Sequence, residues 1–133
     1  MNMVIVDTSG WFAALVPSDP DHEKARAWLA SNRSDLLVTD YIIDELLTLL
    51  RYRKEHQRAL EIGGELVGGT MARVEWVIPT DVQEAWAIFR GFQDQSWSFT
   101  ECVSRAVMSR LEIRQAFSFA DHFRQFGTVT VVP

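Results

Sequence analysis

One cysteine, two lysines, four prolines and seven glycines in 133 residues leave several architectures out of reach. With Cys102 alone, no intrachain disulfide can form, which agrees with a reducing compartment. The three histidines, at 22, 56 and 122, lack zinc-ligand spacing, so no zinc site is expected. So few glycines and prolines exclude a linker or low-complexity protein, and five Trp with eight Phe carry more apolar bulk than disordered chains do. The longest uncharged stretch, Thr8 to Ser18, falls far short of the roughly 20 apolar residues that span a bilayer. Asp7 interrupts the N-terminal apolar run before a signal-peptide core could form. A soluble, cytoplasmic protein without membrane association is expected. Positive charge is also scarce: 13 basic against 18 acidic residues give a net charge of −5. That excludes attraction to nucleic acid through overall charge, but not an acidic active site that acts on nucleic acid.

What is present is an alternation of short apolar runs with amphipathic segments. Met3-Val4-Ile5-Val6 stops at Asp7-Thr8-Ser9-Gly10, as a buried strand entering a helix-starting loop would, with a short helix over Trp11 to Val16. Asp19-Pro20 predicts an N-cap with proline at the first helical position. Leu36 to Thr39 reads as a second strand, followed by a helix from Asp40 to about Lys54 and another from His56 to Val67. Val74 to Ile78 predicts a third strand, and Thr80-Asp81-Val82-Gln83 a capping box that opens a helix through Phe92. After a loop, Ser98-Phe99-Thr100-Glu101 repeats the capping-box spacing before a helix to about Leu111. Ala116 to Phe119 is a fourth strand, Asp121 to Phe126 a helical turn, and Thr128 to Val132 the last strand. The alternation predicts one α/β domain over residues 1–133, with a mostly parallel central sheet and helices on both faces in three layers.

In such a sheet, ligands gather outside the carboxyl ends of the strands. This sequence places acid there: Asp7 after the first strand, Glu45 on the helix after the second, Glu101 in the first turn of a later helix and Asp121 after the fourth strand. Carboxylates gathered in one cleft repel, so a cluster of this kind implies a compensating cation. Mg²⁺, with Mn²⁺ as a substitute, suits carboxylate oxygen and water ligands. Such a site can hydrolyse a phosphodiester.

The same residues carry a family resemblance. Val4-Ile5-Val6-Asp7-Thr8-Ser9, Thr39 through Glu45-Leu46-Leu47, Trp97-Ser98-Phe99-Thr100-Glu101-Cys102, and Ala116-Phe117-Ser118-Phe119 leading to His122-Phe123 together resemble a PIN domain. This is the fold of VapC-type toxins of type II toxin–antitoxin pairs. The resemblance runs from end to end and implies a Mg²⁺-dependent endoribonuclease, a homodimer, and a cognate antitoxin inserted in the active-site groove. It also implies that Asp7, Glu45 and Glu101 are the catalytic acids that hold the metal. Two departures stand out. Glu101 replaces the family's usual Asp, moving the carboxylate by about one carbon–carbon bond, ~1.5 Å. The fourth acid's place is Ala120, with Asp121 one residue later; in a helical turn that shift rotates a side chain by about 100°, which sets metal ligation by Asp121 against plain surface exposure or N-capping.

Plainer uses compete for each residue. Asp7 could be only an N-cap, Glu45 a solvated helix acid, and Glu101 a capping residue that pairs with Arg105. Thr8 and Ser9 either orient the Asp7 carboxylate or cap the helix. Arg51, Arg53, Lys54 and Arg58 form the densest basic patch, either a contact for RNA phosphates or a solvated helix end. Trp97 is a candidate for RNA stacking, whereas Trp11, Trp28, Trp76 and Trp86 read as core or dimer contacts. The alternative function is a PIN-like module that binds antitoxin or RNA without cleaving. A phosphoryl-accepting receiver domain shares the parallel sheet, but Lys24 and Lys54 are poorly placed for it.

Overall fold

The computed structural model describes residues 2–133. Its elements follow one another as β1 (Met3–Val6), α1 (Thr8–Leu15), α2 (His22–Ser31), β2 (Asp35–Thr39), α3 (Asp40–Tyr52), α4 (His56–Val67), β3 (Arg73–Glu75), α5 (Pro79–Gly91), α6 (Phe99–Leu111), β4 (Gln115–Phe117), a 3₁₀ turn (Asp121–Phe126) and β5 (Thr130–Val132). The five strands lie in the order β3-β2-β1-β4-β5, and all four pairings are parallel rather than mostly so. Neighbouring residues on a strand point to opposite faces. Val4 and Ile5, Leu37 and Val38, and Ala116 and Phe117 are all fully buried, so both faces of the central strands are covered by helices. The chain winds outward from β1 first through β2 and β3, then through β4 and β5, which leaves a crevice at the carboxyl ends of β1 and β4.

Several boundaries differ from the sequence reading, each for a traceable reason. Helix α1 starts at Thr8 rather than Trp11, because Asp7 takes the N-cap and its Oδ1 accepts the Gly10 N–H at 2.9 Å. Gly10 itself has no room for a side chain: a Cβ there would lie 2.4 Å from the Phe117 ring, so glycine lets α1 close onto β4. Asp19-Pro20 does not open α2; Asp19 accepts the Asp21 N–H in a turn, and the helix begins at His22. Strand β3 ends at Glu75, because the Val77 N–H turns to Asp40 Oδ1 at 2.8 Å and Pro79 starts α5. Thr80 is therefore inside α5; the N-cap is Ile78, and Asp81, three residues on, accepts the Ile78 N–H on Oδ2 at 3.1 Å. Strand β4 stops at Phe117, just before Ser118, whose hydroxyl donates to Asp7, and β5 starts only at Thr130. Helix α6 has the expected cap: Ser98 Oγ accepts the Glu101 N–H, and the Glu101 carboxylate accepts the Ser98 N–H.

Candidate active site

A cleft of about 410 Å³ opens at this crevice. Asp7 and Thr8 reach it from the start of α1, Glu45 from the second turn of α3, Glu101 and Ser104 from α6, and Ala120 and His122 from the segment after β4. The structure thus brings Asp7, Glu45 and Glu101 to one surface, together with Thr8 and Ser9. Asp121 is exposed and does not line the cleft; Ala120 does.

Each carboxylate is held differently. Asp7 is buried and accepts three hydrogen bonds, from Ser9 Oγ at 2.7 Å and the Gly10 N–H on Oδ1, and from Ser118 Oγ at 2.8 Å on Oδ2. Burial nevertheless dominates and pushes its pKa from 3.8 to about 6; the three donors pull it back in part, and the nearby Glu101 charge adds to the rise. Thr8 Oγ1 donates to Glu45 Oε1. Glu101 accepts the Ser98 N–H on Oε1 and the His122 Nδ1–H across both oxygens, at 2.8 and 2.9 Å. His122 Nε2 faces Ser96 Oγ at 3.4 Å. Deeper in the cleft, Ser104 Oγ is enclosed and has no hydrogen-bond partner among the described residues. Burial pushes the Cys102 thiol up to about 11, which keeps it protonated and inert beside the site.

Two residues of this network, Ser118 and His122, were not singled out from sequence. Their partners, Asp7 and Glu101, lie 111 and 21 residues away along the chain. Both lie in the Ala116-Phe117-Ser118-Phe119 to His122-Phe123 segment that carries the family resemblance, but nothing local assigned either a role. Arg51 and Arg53 do not line the acid cleft. Arg51 borders a separate groove of about 480 Å³ with Leu47, Thr48, Tyr52, Ala59 and Leu60, and the Arg53 guanidinium lies 5.8 Å from the Phe12 ring centroid. Arg58 is tied to Glu55 and the Leu15 carbonyl. Trp97 is buried, its Nε1–H donates to Gln125 Oε1 at 2.7 Å and its ring packs on Phe126, so it is no free stacking platform for a base. Trp11 is buried, Trp28 packs on Phe117, and Trp76 and Trp86 are exposed.

The donor set fits a hard divalent ion: three carboxylates on one cleft, no sulfur, and one acid buried without a cation beside it. Among the described residues, however, no three His, Cys, Asp or Glu side chains are placed to share an ion, and protein donors engage each of the three carboxylates.

Residues 4–128 match the PIN domain family. The chain belongs to that family. Among curated PIN-domain relatives, the 23S rRNA-specific endonuclease VapC20 of Mycobacterium tuberculosis is 30% identical over 131 residues, covering 98% of this chain and 99% of that protein. Ribonuclease VapC26 of the same organism is 25% identical over 140 residues, covering 98% and 100%. Among solved structures, the crystal structure of M. tuberculosis VapC20, described as a sarcin–ricin loop cleaving toxin, superposes with a TM-score of 0.90 at 29% identity over 98% of this chain and 99% of that one. VapBC2 of Rickettsia felis, bound to a DNA fragment from its promoter, gives a TM-score of 0.68 at 8% identity over 98% and 97%, which is a likeness of fold alone. The all-parallel sheet flanked by helices is therefore the PIN fold, and the family resemblance read from the ordered motifs holds.

Proposed function

We propose that this PIN domain is a Mg²⁺-dependent endoribonuclease, the toxin of a type II toxin–antitoxin pair of the VapC kind, acting on RNA in the cytoplasm. The observation that carries the reading is the convergence of Asp7, Glu45 and Glu101 on one cleft at the crevice between β1 and β4, with the buried Asp7 lacking a counter-charge. The near-full-length relatives, both named as ribonucleases, support it. These three acids would hold the ion, with Mn²⁺ as a substitute. When bound, the ion supplies Lewis acidity toward a phosphodiester. Ser9, Ser118 and the Gly10 N–H fix the Asp7 carboxylate, and Thr8 fixes that of Glu45, so neither must be ordered when RNA arrives. Asp121, Arg51 and Arg53 do not line this cleft and are assigned no part in holding the ion.

A homodimer and an antitoxin partner complete the proposal. Trp86, Phe89 and Phe92 leave much of their apolar surface exposed on and just beyond α5, which suits a protein contact. A second reading, a PIN module that binds but does not cut, draws on Ala120 in the fourth acid's place and on the engagement of all three carboxylates by protein donors. Purified, antitoxin-free protein incubated with RNA separates the two. Cleavage that needs Mg²⁺ or Mn²⁺, stops with chelator and is lost in Asp7→Asn supports the nuclease; intact RNA across a range of both ions supports the binding module. The 23S rRNA named for VapC20 is the first substrate to try.

A further inference from the structure

We propose that His122 is a latch on Glu101, which a divalent ion must displace before the cleft can hold it. The proposal rests on the metal-dependent reading above and concerns how that site is kept when no ion is present. A carboxylate binds a metal ion best from the side where its two oxygens open together. In Glu101 that side is taken: the His122 Nδ1–H sits across the fork, 2.8 Å from Oε1 and 2.9 Å from Oε2. The Ser98 N–H occupies another lone pair of Oε1 at 2.8 Å, which leaves only one outward lone pair on Oε2. Asp7 and Glu45 differ, since hydroxyl and backbone donors hold them and no side chain spans either fork. A side chain across the carboxylate fork is thus, among the described residues, particular to Glu101 within this trio of acids.

The latch needs no charge on the imidazole. With Nδ1 protonated, Nε2 is an acceptor facing the Ser96 hydroxyl, so the neutral ring is satisfied at both nitrogens. The ring is held in place because Phe123, next in sequence, is fully buried and Gln125 is tied to Trp97. Ala120 offers no carboxylate that could compete for the imidazole or hold an ion in place of Glu101.

Calorimetric titration of Mn²⁺ into the full metal-free chain tests this without any RNA. His122→Ala is expected to bind Mn²⁺ about tenfold more tightly, because a hydrogen bond to a charged acceptor no longer opposes the ion. His122→Asn, which keeps a donor of similar reach, is expected to bind as the wild type does. In wild-type protein, the His122 imidazole ¹⁵N–H signal is expected to shift when Mg²⁺ is added. Equal or weaker binding in His122→Ala overturns the latch and makes the imidazole a support for Glu101. If ion binding is lost in Asp7→Asn but unchanged in His122→Ala, the latch alone falls; if the wild type binds no Mn²⁺ at all, the metal reading falls with it.

Discussion

Two buried aspartates divide the molecule into a part built to last and a part built to act. Asp81 receives a cation from the fold: Arg110 on α6 grips it with two hydrogen bonds of 2.8 and 2.9 Å and also reaches Glu75, which joins β3, α5 and α6. Those bonds hold the Asp81 carboxyl below its ordinary value and push the Arg110 guanidinium further up. Asp7 is also shielded from solvent, but it lies in denser surroundings and has only neutral donors among the described residues, and burial lifts its pKa to about 6. The fold neutralises the acid that holds helices together and leaves unneutralised the acid at the crevice, as a group awaiting a cation requires.

The contrast breaks most visibly at Asp7. Asp7→Asn is expected to lower RNA cleavage by more than about 100-fold, since loss of groups that merely orient metal ligands already costs 10–100-fold. The same change is expected to stabilise the protein at pH 7, read by thermal melting, because it removes the buried charge while the amide oxygen keeps the Ser9 and Gly10 donors and the bond to Ser118 reverses, the amide NH₂ donating to Ser118 Oγ. The pH dependence sharpens the comparison because the two aspartates act with opposite sign. Asp7 has a folded pKa raised above its unfolded value, so its contribution is most favourable below about pH 4 and is lost as pH rises to about 6, a cost of roughly 3 kcal/mol above that range. Asp81 has a depressed folded pKa, so its contribution is present above about pH 4 and is lost as pH falls further. Urea unfolding across pH 3–8 is expected to lose the first slope in Asp7→Asn and the second in Asp81→Asn, and Mg²⁺ is expected to raise the melting temperature more at pH 7 than at pH 5.

Arg110→Ala is the next largest effect. It leaves Asp81 buried and unpaired, with an expected loss of about 2–3 kcal/mol in urea unfolding, somewhat below that of a fully enclosed pair because Arg110 reaches solvent. Its effect on cleavage per folded molecule is expected to be small. Ser118→Ala is the smallest: it removes one donor from Asp7, raises that carboxyl's pKa further, and is expected to cost about 1 kcal/mol at neutral pH.

How much of this could be read from the chain follows from the range of the interactions. The Ser98–Glu101 cap was legible because both partners lie within one helical turn. The third strand was read as far as Ile78 because Val77 and Ile78 look like strand residues; Asp40, 37 residues earlier, takes the Val77 N–H and ends the strand. Trp97 looked like a loop aromatic free to stack, until Gln125 and Phe126, brought in by the last turn, enclosed it. Asp121 and Ala120 show the finest case: one residue along an exposed turn decides which side chain faces the cleft.

Apolar periodicity and punctuation by themselves determined the order of strands and helices, and with it the parallel sheet whose carboxyl edge carries Asp7, Glu45 and Glu101. These are properties of neighbours in sequence, where side-chain spacing and backbone preference act directly. Only the tertiary structure decided which donors would meet those acids, that Ser118 would hold Asp7, and that His122 would close the fork of Glu101. Hydrogen bonds between residues tens of positions apart depend on how the helices and strands pack, and no local pattern encodes that distance.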